Sequence, residues 1–130
     1  MKLSRDAILN ASDITTEEVT VPEWGGEVLV RTMTGAERDL YEKSVLVRNG
    51  KNHKVNLENA RSKLVILTAV DAQGQRLFSN ADMAALSKKN AAALDRLFDV
   101  AARLAGITEK DMEEIVEELK NDPFDDSLSD

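Results

Sequence analysis

Residues 18–31, EVTVPEWGGEVLVR, constrain the fold more than any other stretch of this chain. Val19 and Val21 alternate with Glu18 and Thr20, and Val28 and Val30 alternate with Glu27, Leu29 and Arg31. A period of two predicts strands with one buried face. Between them, PEWGG has the length and the glycines of a hairpin connection, because Gly25 and Gly26 adopt positive φ without steric cost. Pro22 stands where a strand ends and a missing N–H does least harm. The hairpin thus sets the only Trp, Trp24, at its turn. Two readings of Trp24 stay open. It either caps the core or anchors a partner, and the general burial of Trp favours the core.

After the hairpin the pattern is mostly helical. Thr34-Gly-Ala-Glu37 matches a capping box and predicts a helix continuing to about Val47. The polar RNGKNHKV, residues 48–55, reads as a loop. Leu57, Ala60, Leu64 and Leu67 recur at helical spacing and predict a helix over 57–70, with a buried strand from Leu64 as the competitor. Asp71-Ala-Gln-Gly74 suits a type I turn, and residues 76–78 a short extended piece. Ser79 and Asn90 are N-cap candidates for two further helices. The second of these, AAALDRLFDVAARLA, carries the stripe Leu94, Leu97, Phe98, Ala101 and Leu104 and stops at Gly106. Near the N-terminus, SRDAILNA suits a short helix capped by Ser4. Thr108 caps a last helix with the stripe Met112, Ile115, Val116 and Leu119, closed by Pro123. The expected fold class is mainly α with a small N-terminal β-hairpin (α+β): one compact multi-helix domain over residues 1–120 and a mobile acidic tail over 121–130.

Charge is unevenly placed. Residues 109–130 hold ten acids and two lysines, whereas residues 1–108 hold fourteen acids and fifteen bases. No cluster of Lys and Arg compensates, so binding to a phosphate backbone is not expected. The acidity serves solubility, or meets a basic partner. The chain has no Cys, and no apolar run is long enough to span a membrane. Sole His53 lies in a stretch rich in Asn and Lys, away from any nucleophile arrangement. Glycine-rich phosphate loops and the calcium-loop pattern are both missing. The expectation is a non-enzyme without cofactor or metal. Its candidate contacts are Trp24 on the hairpin and Met112, Ile115, Val116 and Leu119 on the last helix.

Three segments taken together, SRDAILNASD, EEVTVPEWGGEVLVRTMTGAERDLYE and VDAQGQRLFSNADMAALSKKNAAALDRLFDVAARL, resemble the tail assembly chaperones of long-tailed bacteriophages. The resemblance implies a protein that binds and solubilises the tape measure protein, a long and aggregation-prone helical chain. It also implies help in recruiting tail tube protein, self-association, action in the host cytoplasm and absence from the mature virion. A longer frameshifted product would join at the C-terminal segment. Two alternatives compete: a structural tail or head component retained in the virion, and an acidic regulatory binding protein.

Overall fold

The structure is a computed structural model that describes residues 1–49, 52–55 and 59–107. In chain order the elements are α1 (Arg5–Leu9), β1 (Thr16–Val21), a 3-10 turn (Pro22–Trp24), β2 (Gly26–Arg31) and α2 (Gly35–Val45). They continue with β3 (Leu46–Asn49), β4 (Asn52–Val55), α3 (Ala60–Thr68), β5 (Ala69–Val70), a second 3-10 turn (Asn80–Asp82), α4 (Met83–Ser87) and α5 (Ala91–Leu104). The α+β class expected from the sequence is observed.

β1 and β2 pair antiparallel from Thr16↔Arg31 to Val21↔Gly26, as the alternation of valines requires. β5 joins the other side of β2 through Leu29↔Val70 and Val30↔Ala69, giving the strand order β1-β2-β5. Val19, Val21 and Val30 point to one side of this sheet, where they meet α3 and α5. Leu64, Val65 and Ile66 from α3 fill the core with Leu94, Leu97 and Ala101 from α5. Tyr41 and Val45 from α2 and Leu86 from α4 close its sides. The opposite side of the sheet carries Glu18, Glu27, Leu29 and Arg31, by the same period of two.

Helix ends follow the signals in the sequence. Thr34 Oγ1 accepts the Glu37 N–H at 3.2 Å while Glu37 Oε1 accepts the Thr34 N–H at 2.9 Å, a reciprocal capping box. Ser79 and Asp82 form a second one. Asn90 Oδ1 accepts the Ala93 N–H at 3.1 Å and starts α5. α5 ends at Gly106, which is left-handed at φ 75°. There the Gly106 N–H donates to the Arg103 carbonyl (3.1 Å) and the Ile107 N–H to the Ala102 carbonyl (2.9 Å), a Schellman motif.

Three boundaries differ from the sequence reading. Residues 48–55 are not a loop within a helical body. Of these, 48–49 and 52–55 lie in strands β3 and β4, which pair from Leu46↔Val55 to Asn49↔Asn52, and α2 accordingly stops at Val45. Of the predicted helix over 57–70, Ala60–Thr68 is helical as expected, so a strand from Leu64 is not what forms; only Ala69–Val70 leave the helix, as strand β5. Leu57, the last predicted helix and the acidic tail lie outside the described residues.

Candidate interaction surface

The hairpin turn is built to hold Trp24 in one place. Pro22 opens the 3-10 turn, and Gly25 closes it at φ 75°, donating to the carbonyls of Val21 (3.1 Å) and Pro22 (3.2 Å). A side chain at that φ would be strained. Glu23 pairs with Arg96 of α5, and Glu17 accepts from Arg103 of the same helix at 2.5 Å. The Arg103 guanidinium lowers the Glu17 carboxyl below the usual range. Two ion pairs thus tie the hairpin to α5. Trp24 remains 36% exposed and stands apart from the core cluster. The indole is thus outside the buried core, although its turn packs along α5, to which the two ion pairs fasten the hairpin.

At the far end of β2 a charged cluster joins three elements. Arg31 Nη1 and Nη2 donate to the two carboxylate oxygens of Glu37 at 2.8 and 2.5 Å, a bidentate pair. Arg76 Nη2 donates to Glu37 Oε2 at 2.7 Å. The Glu37 and Arg31 side chains are only 13% and 15% exposed, which places the pair between surface and core. The Arg31 guanidinium holds the Glu37 carboxyl far below the usual carboxylate range, against the opposing effect of burial; the Thr34 N–H and Arg76 act in the same direction as Arg31. The cluster is structural: it locks the start of α2 to β2 and to the segment after β5.

A shallow cleft between the start of α3 and the α4–α5 junction is lined by Asn59, Ser62, Ser87, Lys89 and Leu94. Its polar groups satisfy one another: Ser62 and Ser87 hydroxyls lie 2.8 Å apart, and Ser87 Oγ donates to Asn59 Oδ1 at 2.8 Å. Every buried side-chain polar atom among the described residues has a partner, and no group of His, Cys, Asp and Glu there could hold a metal ion. Within those residues no nucleophile is held by an activating base. No described helix is long and apolar enough to cross a membrane.

What remains is exposed apolar surface. Besides Trp24, the exposed large apolar side chains among the described residues are Met1, Leu3, Ile8, Leu9 and Ile14 in the N-terminal arm, Leu40 on α2 and Leu77 after β5. Sequence reasoning singled out only Trp24 from this set. Leu40 could have been found from the α2 heptad, where Tyr41 and Val45 are buried at i, i+4 and Leu40 falls on the flank. The other four candidates, Met112, Ile115, Val116 and Leu119, lie outside the described residues.

The family described as "Phage tail assembly chaperone" matches residues 3–118. The fold is similar to the solved structure of the bacteriophage HK97 tail assembly chaperone, with a TM-score of 0.57 and 21% identity, over 80% of this chain and 95% of that one. No curated protein sequence matches.

Proposed function

Because the chain belongs to the phage tail assembly chaperone family, we propose that it binds and solubilises the tape measure protein and helps recruit tail tube subunits. The observation that carries this reading is Trp24: a 36% exposed indole on a turn fixed by Pro22, Gly25 and the Glu23–Arg96 pair. A large rigid aromatic presented by a pre-organised backbone loses little entropy on binding, which is why Trp recurs where interfaces concentrate their energy. A long amphipathic client helix offers the apolar stripe that such an anchor fits. Met112, Ile115, Val116 and Leu119 are proposed as a second contact, from their helical spacing in the sequence. The protein acts in the host cytoplasm and leaves before the virion is complete.

Co-expression with the tape measure protein of the same tail-gene block tests this directly. The client should become soluble and co-purify, and Trp24→Ala should reduce the recovered complex without lowering the melting temperature of the chaperone. A client that is equally soluble without the chaperone would refute the proposal. So would finding the chaperone as a stable component of purified particles, which is the outcome expected of a structural tail or head protein.

A further inference from the structure

β1 runs antiparallel to α5, as two ion pairs show. Glu17 near the strand's start meets Arg103 near the helix's end, and Glu23 just past the strand meets Arg96 earlier in the helix. The start of β1 and the end of α5 therefore share one corner of the body. Arg38 of α2 reaches the same corner, its Nη1 donating to the Ala105 carbonyl at 3.0 Å. Two stretches of chain leave from there. Residues 1–15 lead into β1, and residues 108–130, which lie outside the described residues, follow Ile107.

The first stretch is an arm that no described residue covers. Each of residues 1–15 is exposed, with Leu3 at 62%, Ile8 at 55% and Leu9 at 65%. Within it α1 is capped, Ser4 Oγ accepting the Ala7 N–H at 3.1 Å, yet it buries none of its residues. Five residues are too few for a helix to stand alone in water, so this one needs a surface to lie on. The second stretch carries a matching face in its sequence. At helical spacing Met112, Ile115, Val116 and Leu119 form one apolar stripe, with Glu109 and Glu113 along one flank and Asp111 and Glu118 along the other. Residues 108–120 hold six acids against two lysines, whereas the first five residues of the arm hold Lys2 and Arg5 and no acid.

We infer that the arm folds over residues 108–119 of the same chain, with Leu3, Ile8 and Leu9 on the Met112–Leu119 stripe and Lys2 and Arg5 on its acidic flanks. Reach selects this occupant. A helix over 108–119 is about 18 Å long and starts at the shared corner. The six residues between α1 and β1, Asn10–Thr15, span up to about 20 Å when extended, so α1 can lie anywhere along that helix. A partner tethered this closely meets the arm at an effective concentration on the order of millimolar, which lets a small apolar contact form without a second molecule. Charge agrees, because the basic tip of the arm meets a strongly acidic segment. The consequence of this clasp rests on the proposed client binding. The stripe assigned to the client is sheltered in the free protein, and a client helix must displace the arm to reach it. The arm is then a built-in competitor, and surfaces that hold the stripe more weakly than it does are refused.

The chain has no Cys, so a disulfide introduced at chosen positions reports the contact without interference. Leu9→Cys with Ile115→Cys should close under mild oxidation at least about tenfold faster than Leu9→Cys with Glu117→Cys, because position 117 falls on the opposite face of the same helix. The product should keep the 14.3 kDa of one copy, and its rate should not change with protein concentration. In the chain without cysteines, deleting residues 2–13, which removes no buried side chain, should speed amide exchange over 112–119 at least about tenfold and leave the melting temperature unchanged. Equal closure rates for the two cysteine pairs, closure only between copies, or exchange indifferent to the deletion overturns the proposal. No client is present in these measurements, so they succeed or fail independently of client binding. With the tape measure protein added, the locked disulfide should lower capture at least about tenfold and its reduction should restore it. Full capture by the locked form overturns the competitor role, whereas a reduced form that captures nothing counts against client binding alone.

Discussion

Replacing Glu37 by Ala removes one carboxylate from four hydrogen bonds: two from Arg31, one from Arg76 and one from the Thr34 N–H. Loss of its half of the capping box costs about 1 kcal/mol. The ion pair is harder to price. Exposed pairs contribute roughly 0–1 kcal/mol, and breaking a buried one costs roughly 3–5. At 13% and 15% exposure the Glu37–Arg31 pair lies between these limits, so about 2 kcal/mol is assigned to stranding the Arg31 guanidinium. The expected destabilisation is therefore roughly 3 kcal/mol, which for a domain of this size lowers the melting temperature by about 10 °C. Urea denaturation of the wild type, Glu37→Ala, Arg31→Ala and the double variant gives both the total and the coupling. The sign with pH is fixed as well. The Glu37 carboxyl is depressed in the fold, so its contribution is full above the usual carboxylate range and is lost as pH falls towards the folded value. Glu37→Ala should therefore lose its deficit relative to wild type in strong acid. A total below about 1 kcal/mol, or a coupling near zero, would refute the account of this cluster.

Three further outcomes are expected. Leu97→Ala empties a fully buried position in the centre of α5 and should destabilise by about 2–5 kcal/mol in the same assay. Gly106→Ala forces a side chain into the left-handed Schellman position and should cost about 1 kcal/mol, with no steric clash to add to it. Tyr41 is buried with its hydroxyl on the Ala60 carbonyl at 3.3 Å, and burial pushes its pKa up to about 12. Its contribution is complete below the unfolded value near pH 10 and fades as pH rises through about 12, so ultraviolet titration should show this tyrosine ionising late, together with loss of ellipticity.

The parts of this fold that could be read from the chain are those where local chemistry and tertiary packing agree. Valine alternation fixed the β1–β2 register, and the Thr34–Glu37 and Asn90 caps set two helix starts. The β3–β4 hairpin was missed because its strands alternate no apolar residues through RNGKNHKV. The Asn49-Gly50 dipeptide is the available hairpin signal, but without flanking apolar alternation it reads as a turn inside a polar loop. The end of α3 was decided by a distant partner. Ala69 and Val70 suit a helix as well as a strand, and the neighbouring edge of β2 settles the matter. Trp24 was placed at the right turn, but the fastening of that hairpin to α5 rests on Glu23 and Glu17 meeting Arg96 and Arg103, contacts of 73 and 86 residues' separation that no local pattern reveals.

The closure of the sheet beside β5 sets a limit on how such molecules can accumulate. A sheet with two free sides is a link in a potentially endless ribbon, and a cell making many copies at once would risk fibres. Here the Val70↔Arg76 bridge turns one side into a dead end. A strand arriving beside β5 meets backbone already bonded to Arg76 and Leu77 rather than a free ladder.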